Sequence, residues 1–352
     1  MSRFRSGKSW LITRRGISSR ARSTAFAPID VDRSEPHPQI PFFDYFTQRA
    51  TIGYALDVTK LEYDRFGPWV LEINETDTVP ELFQPHVEPV HKPLLSVKIP
   101  RPVERARARH LTHLYDYLLS LYATHLTILR RHGESVVTES VDYDDIEHIY
   151  SIHDLLRGVL RIVTPANSYE IPYSTVSSEL MVRVLDFVRG FYVESDRVVA
   201  VRPSIYEKRE SFSACLGGLL GEQLARNPKL CVVASQVEVS MAECESGRIS
   251  RAFAGVTRKR LLESLHLCDG RELVVVDRGQ AFRRGKQAVY EKNILYLPLT
   301  SIRDVEWSRE SESSPLAKLT LRLCDFSYSY LFVQDNPWRR HYRRFLRDAV
   351  GR

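Results

Sequence analysis

The sequence predicts an α+β protein with two antiparallel β-barrel or β-sheet units, each closed by a C-terminal amphipathic helix. Three observations predict this class. One apolar helix pattern occurs twice, strand-length apolar runs precede each helix in the same order, and 352 residues leave room for two domains. A lone sheet has open edges and an apolar face to cover, and a helix packed against one end covers part of that surface.

The two predicted closing helices share one apolar spacing, with offsets of four, seven, eight and eleven from the first residue. Such a set marks one stripe along a helix. The first stripe is Leu180, Val184, Phe187, Val188 and Phe191, and the second is Trp338, Tyr342, Phe345, Leu346 and Ala349. Asn336 and Pro337 supply a cap and a first-turn proline for the second helix, whereas a Ser/Thr-rich stretch, residues 174–178, precedes the first.

A β-hairpin is predicted ahead of each helix. In the first copy, residues 119–121 and 126–130 flank a short connection, and in the second copy residues 265–267 and 273–277 flank an Asp-Gly pair. Gly270 is a strong turn signal because glycine tolerates positive φ. The first hairpin lacks this signal.

Three later segments of the first copy correspond to segments of the second. The pairs are residues 141–146 with 297–302, 159–163 with 319–323, and 169–173 with 328–332. The strict alternation of residues 319–323 is typical of a half-buried strand. Each copy therefore reads as several antiparallel strands followed by one helix.

This order of elements resembles the pleckstrin-homology-like (PH-like) barrel, in particular the bacterial PH-like domains. The resemblance covers residues 60–195 and 229–352 and rests on element order, since that superfold has no diagnostic motif. It implies a module that binds lipids, peptides or proteins, or that assembles into oligomers, and that is rarely catalytic. No cofactor and no metal are expected. The competing interpretation is a generic α+β protein whose periodicities coincide by chance.

The flanking segments read differently from the two units. Residues 1–41 are predicted to be a disordered basic leader, because residues 1–29 hold seven Lys and Arg and no acidic residue, and prolines follow. An organellar transit peptide, a basic arm and an unstructured extension all fit it, and the extension is preferred. Residues 196–228 are predicted to be a linker that contains a helix over residues 212–225.

Composition narrows the class of protein. Outside the leader the chain is close to neutral, although the net charge of the whole is +6, so no basic footprint for specific nucleic-acid binding remains. The longest apolar runs are strand-sized, and no transmembrane segment is predicted. The five cysteines are widely spaced without a Cys-x-x-Cys pair, which favours a reducing compartment. A cytoplasmic protein is expected. Peripheral association with a membrane and import into an organelle, directed by the leader, are the alternatives.

The loop at residues 278–286 is the first candidate binding site. It follows a predicted strand and mixes cations, glycines and an aromatic residue. By the PH-like resemblance, an anionic ligand such as a lipid head group would contact Arg283, Arg284 and Lys286, with Phe282 against acyl chains. The equivalent first-copy segment contributes Arg130 and Arg131. The alternative is an ordinary solvated hairpin loop.

The second closing helix offers another candidate surface. Its polar side carries Arg339, Arg340, Arg343, Arg344 and Arg347. A basic amphipathic helix can lie on a membrane. Because its apolar stripe matches the first helix, however, the stripe is predicted to face the core and the arginines to face water. A strand edge or the groove beside this helix is then an alternative peptide site.

An enzyme is the alternative functional class. His148 and His153 follow the acidic residues Asp142, Asp144, Asp145 and Glu147. Carboxylates beside histidines can bind a metal or transfer protons. Ordinary surface charges at a strand end explain the same pattern. The prediction is a binding or assembly module for a protein partner or an anionic membrane surface, with oligomers possible and catalysis the less favoured reading.

Overall fold

The chain folds as an α+β protein of antiparallel sheets with few helices, which confirms the predicted class. A computed structural model describes residues 66–75, 77–88, 91–102, 113–192, 199, 201, 213–244, 252, 258–285, 289–309 and 314–350. The predicted leader and Lys286 lie outside these residues. In the described ranges, no helix is long and apolar enough to cross a membrane.

The first half of the described chain contains eight strands and one long helix. They are β1 (Leu71–Glu72), β2 (Leu95–Pro100), β3 (Tyr115–Leu121), β4 (His125–His132), β5 (Ser135–Asp142), β6 (His148–Asp154), β7 (Arg157–Val163), β8 (Ser168–Ser174) and α1 (Ser178–Tyr192). Short 3-10 helices span Glu81–His86, Tyr143–Asp145 and Thr175–Ser177.

The second half contains ten strands and three helices among the described residues. They are α2 (Ala214–Arg226), β9 (Cys231–Gln236), β10 (Val239–Ser240), α3 (Met241–Cys244), β11 (Arg260–Leu261), β12 (Ser264–Cys268), β13 (Glu272–Asp277), β14 (Phe282–Arg283), β15 (Lys292–Pro298), β16 (Asp304–Arg309), β17 (Leu316–Arg322), β18 (Ser327–Val333) and α4 (Trp338–Val350). A 3-10 helix, Leu299–Ser301, joins β15 to β16.

Four antiparallel sheets arrange these strands. Their strand orders are β1-β2-β3-β4-β5, β8-β7-β6-β15-β13-β12-β9, β16-β17-β18 and β10-β11-β14. None of the four closes on itself within the described ranges, so the barrel that the sequence predicted is not found. The reason lies in the longest sheet, where β6 pairs with β15 from the second half of the chain instead of with β5.

One order of elements nevertheless occurs twice. Strands β2–β5, a 3-10 helix, strands β6–β8 and α1 follow one another, and later β9, β12, β13 and β15, a 3-10 helix, strands β16–β18 and α4 follow. Below, "first unit" and "second unit" denote these two series. The two 3-10 helices end alike, since the Ile146 N–H donates to the Tyr143 carbonyl at 3.1 Å and the Ile302 N–H to the Leu299 carbonyl at 3.3 Å.

Both predicted hairpins are confirmed. Leu121 lies opposite Leu126, and Cys268 lies opposite Leu273. The second turn places Gly270 at a φ of +95°, the left-handed region that disfavours side chains. The first hairpin forms without a glycine at its turn, which shows that strand pairing can override weak turn chemistry there.

The predicted apolar stripe is confirmed in α4 but only in part in α1. In α4 all five predicted residues are buried. In α1 the buried residues are Met181, Val184, Leu185 and Val188. Leu180, Phe187 and Phe191 are only partly buried, so the predicted stripe is rotated, and Phe191 stacks on Tyr143 at 4.9 Å between ring centroids. The apolar arc of α1 is wider than one stripe, and neighbouring elements decide which part is covered.

One hydrophobic core runs through both units. Buried side chains of β2–β4, β12, β13, β15, α1 and α4 belong to a single cluster. The predicted linker helix is present as α2, where the Ser213 hydroxyl accepts from the Leu216 N–H at 3.1 Å. The units therefore share their apolar interior, and α4 contributes to it from the second unit.

Candidate binding groove

A groove lies between β16 and α4 of the second unit. Its volume is about 270 Å³. The strand side and its approach contribute Arg303, Asp304, Val305 and Trp307, and the helix contributes Arg343, Leu346, Arg347 and Val350. An apolar floor with a charged rim is the usual composition of a binding site.

The floor of the groove is firmly packed. The Trp307 ring lies 5.6 Å from that of Phe332 and 6.2 Å, edge-on, from that of Tyr342. Beneath it, the Tyr342 hydroxyl is hydrogen-bonded to His266 Nδ1 at 2.9 Å. Burial lowers the pKa of His266 to about 3, so this histidine is neutral. These contacts hold α4 against β12 and place the Trp307 ring in the floor of the groove.

The rim of the groove is predominantly positive. Arg303, Arg343 and Arg347 are exposed, against one exposed acidic residue, Asp304. The Asp304 carboxylate accepts from the Val305 N–H at 2.8 Å. Guanidinium groups over apolar surface favour a ligand that combines carboxylate or phosphate oxygens with apolar groups.

The strand side of the groove is a sheet edge. Among the described strands, β16 pairs only with β17. One row of its backbone donors and acceptors therefore has no strand partner in the described chain, and such an edge is a template for an added strand. Val305 and Trp307 alternate with the exposed Asp304 and Glu306, so one face of β16 turns inward.

Two residues of the binding loop predicted at residues 278–286 belong to a strand in the structure. Phe282 and Arg283 form β14, which pairs with β11, so they do not lie in a free loop. Arg283 Nη2 donates to Glu238 Oε1 at 2.6 Å. Phe282 packs with Met241 in a small cluster and lies 4.0 Å beneath Lys259 Nζ. These two side chains are already engaged within the protein.

Arg284 is exposed beside Gly285, which has a φ of +65°. Lys286 lies outside the described residues. Anion binding by these two residues stays a prediction.

The equivalent first-unit residues are strand residues as well. Arg130 and Arg131 belong to β4, and the turn lies beyond them at Gly133. Arg131 donates to Asp116 Oδ1 through Nε at 2.9 Å and Nη2 at 2.7 Å. Arg130 is exposed. Since β4 and β14 belong to different sheets, the structure does not join these arginines and the β14 residues in one strand pair.

His148 and His153, the histidines of the alternative enzyme hypothesis, are hydrogen-bonded to side chains within the protein. His148 is fully buried, its Nε2 lies 2.6 Å from the Tyr328 hydroxyl, and burial lowers its pKa to about 3. His153 Nε2 lies 2.9 Å from the Ser151 hydroxyl, and its pKa is lowered to about 4, chiefly by burial.

The acidic residues of that reading are placed differently. Asp142, Asp144 and Asp145 are exposed, whereas Glu147 is buried. Where the chain is described, no group of three or more His, Cys, Asp or Glu side chains is placed to hold a metal ion. The predicted acidic–histidine cluster is therefore not assembled as a metal site within these residues.

Sequence reasoning named the groove beside the second helix but missed the residues that form its other side. Trp307, Val305 and Arg303 carry no recognised motif. The alternation in residues 304–309 was the available signal, because it places Val305 and Trp307 on one face of a strand.

No protein-family model matches the chain, and no curated protein matches its sequence significantly.

Proposed function

We propose that this protein is a non-catalytic protein-binding module of two PH-like units, whose β16–α4 groove binds an extended segment of a partner protein. The observation that carries the proposal is the open edge of β16 beside an apolar groove rimmed by arginines. Addition of a strand to such an edge gives affinity through backbone hydrogen bonds and specificity through side-chain pockets.

The repeated element order supports the PH-like part of the proposal. Each unit has four antiparallel strands, a 3-10 helix, three more strands and a helix. In both units the closing helix buries an apolar face against the shared core. An experimental structure in which the two units do not superpose would overturn the tandem assignment.

The chemistry of the groove supports binding over catalysis. Its floor is formed by Val305, Trp307, Leu346 and Val350, and its rim by arginines and one aspartate. Arginines stay protonated at physiological pH and are poor proton carriers, whereas they bind oxyanions well. The buried histidines lie beneath the groove or in the sheet and are neutral.

The test is selection of peptides from a phage-displayed library of random dodecapeptides on the intact protein. We expect selected peptides to bind with micromolar affinity and to lose at least tenfold in affinity for Val305→Arg, which fills the groove floor with a charged side chain. Leu156→Arg is the matched control, because Leu156 is 69% exposed and outside the groove lining.

Two results would overturn the proposal. The first is that selected peptides bind Val305→Arg as well as they bind the unaltered protein. The second is that no peptide is selected, whereas vesicles that contain phosphatidylserine bind the protein and bind Val305→Arg more weakly. The groove would then bind a membrane surface.

A further inference from the structure

The first unit contains an occupied counterpart of the open groove. In the repeated element order β6 is the counterpart of β16, and α1 is the counterpart of α4. On the edge of β6 away from β7, strand β15 of the second unit adds in antiparallel register, from Lys292 opposite His153 to Tyr296 opposite Ile149. The chain thus shows how the strand equivalent to β16 accepts a further strand.

The closing helix of the first unit also takes part in this contact. Arg189 follows Val188 in α1, as Arg347 follows Leu346 in α4, so the two arginines hold the same place in the matched helix patterns. Arg189 donates to Glu272 through Nη2 at 2.5 Å and Nε at 3.2 Å.

Two tyrosines complete the contact around Arg189. The Tyr192 hydroxyl donates to Glu272 at 2.7 Å. The guanidinium also lies 4.2 Å above the ring of Tyr296, a residue of the added strand. The second unit therefore presents two groups to the arginine of α1. The aromatic ring belongs to the added strand β15, and the Glu272 carboxylate belongs to β13, the strand that pairs with β15 on its other side.

In the groove itself, the equivalent arginine is exposed. Arg347 and Arg343 face the opening, and β16 offers the unpaired edge. A guanidinium binds a carboxylate through paired, charge-assisted hydrogen bonds, which make its ligand preference specific. The first unit supplies such a carboxylate from within the chain, and the second unit has the same place open.

We infer that the partner of the groove is an acidic segment, which pairs antiparallel with β16 as a β-strand. The exposed guanidinium of Arg347 at the groove attracts a carboxylate of this segment, either of the strand itself or of the residues next to it. This inference rests on the proposed function and adds the chemistry of the partner. An aromatic residue on the bound strand stacks on the same guanidinium, as Tyr296 does on Arg189.

A second copy of the chain is the less favoured occupant. Its β5 is the counterpart of β15 and is also an edge strand within the described sheets. In the register of the internal contact, Glu139 of β5 would lie opposite Glu306 of β16, and like charges in that position repel. The counterpart of Glu272 is His125, which offers no carboxylate to Arg347.

The test uses the tightest peptide from the dodecapeptide selection, its copy with every Glu and Asp replaced by the amide, and a copy N-methylated at alternate residues. On the intact protein we expect the amide copy and the N-methylated copy each to bind at least tenfold more weakly. Arg347→Gln should lower the affinity for the acidic peptide by a similar factor. On this variant the acidic peptide and its amide copy should bind with equal affinity.

Arg340→Gln is the matched control, because Arg340 is an exposed arginine of the same helix outside the groove lining. It should leave both affinities unchanged.

The outcomes separate this inference from the proposed function. If peptides bind in the groove but carry no acidic residue, or bind equally as amides, the inference is wrong and the binding function stands. If no peptide depends on the groove, the proposed function fails first. Concentration-dependent self-association in sedimentation velocity that Val305→Arg abolishes would overturn the inference in favour of a second copy.

Discussion

Strands β6 and β16 hold the same place in the two units, and their neighbours differ. Strand β6 lies between β7 and β15, and its first four residues are buried. Among the described strands, β16 pairs with β17 on one side only, and no residue of β16 is fully buried. Its charged residues alternate with half-buried ones, a pattern that protects an edge strand from indiscriminate pairing.

The arginines of the closing helices differ in the same way. The Arg189 side chain is 12% exposed and bound to Glu272, which is 1% exposed, whereas Arg347 is exposed at the groove. The comparison teaches that one structural position can be buried in an ion pair where the chain supplies a carboxylate, and exposed at the surface in the other unit.

The largest effect on stability is expected from removing the buried ion pair between Arg189 and Glu272. Arg189→Ala leaves the buried Glu272 carboxylate without its cation, so we expect a loss of about 3–5 kcal/mol in the free energy of unfolding. Arg347→Ala, at the matched exposed position, should change it by less than about 0.5 kcal/mol. Urea denaturation of both variants measures the two values, and equal losses would contradict the comparison.

The second effect concerns pH and the strand β6. His148 lies on β6 where β16 has Asp304, and burial lowers its folded pKa to about 3. Because the unfolded histidine titrates near 6.5, its contribution to stability is present above that pH and is lost as the pH falls towards 3. Between pH 7 and pH 5 this amounts to roughly 2 kcal/mol.

The variant His148→Gln should therefore lose about 2 kcal/mol less than the unaltered protein over this pH interval. Urea denaturation at pH 7, 6 and 5 measures the difference. Burial raises the pKa of Asp277 to about 7, so its ionisation costs stability as the pH rises, but this opposite contribution is common to both proteins. An unchanged pH dependence would show that His148 is charged in the folded state.

The smallest expected effect on stability concerns the turns of the two hairpins, at Gly270 and Ala123. Gly270→Ala forces a side chain into the left-handed region at a φ of +95°, so we expect a loss of about 1–2 kcal/mol in the free energy of unfolding. In the first hairpin, Ala123→Gly should cost less than about 1 kcal/mol, through chain entropy alone. Thermal unfolding of both variants tests this order, and a reversed order would contradict it.

The sequence predicted those features that local patterns determine. The α4 stripe was correct because its five apolar residues are separated sharply from arginines on the other face. The α1 stripe was rotated because Leu180, Met181, Leu185 and the phenylalanines form a broad arc, and the packing of both units decides which part is buried.

The pairing of β6 with β15 could not be predicted, because it joins residues 149–153 to residues 292–296 and leaves no trace in local periodicity. The open edge of β16 and the burial of Glu272 both follow from that pairing. The basic segment near Arg283 was predicted from its charge, but Glu238, which pairs with it, is distant in sequence. Charge counted along the chain does not show which cations already have a partner.

The long sheet has a consequence for synthesis on the ribosome. The first unit is complete in sequence at α1, yet its β6 edge and Arg189 acquire their partners only after β13 and β15 have been translated. Domains fold as units while synthesis proceeds from the N-terminus. A nascent chain therefore exposes at β6 an unpaired strand edge like that of β16 among the described strands, and a chaperone can bind it before β15 is synthesised.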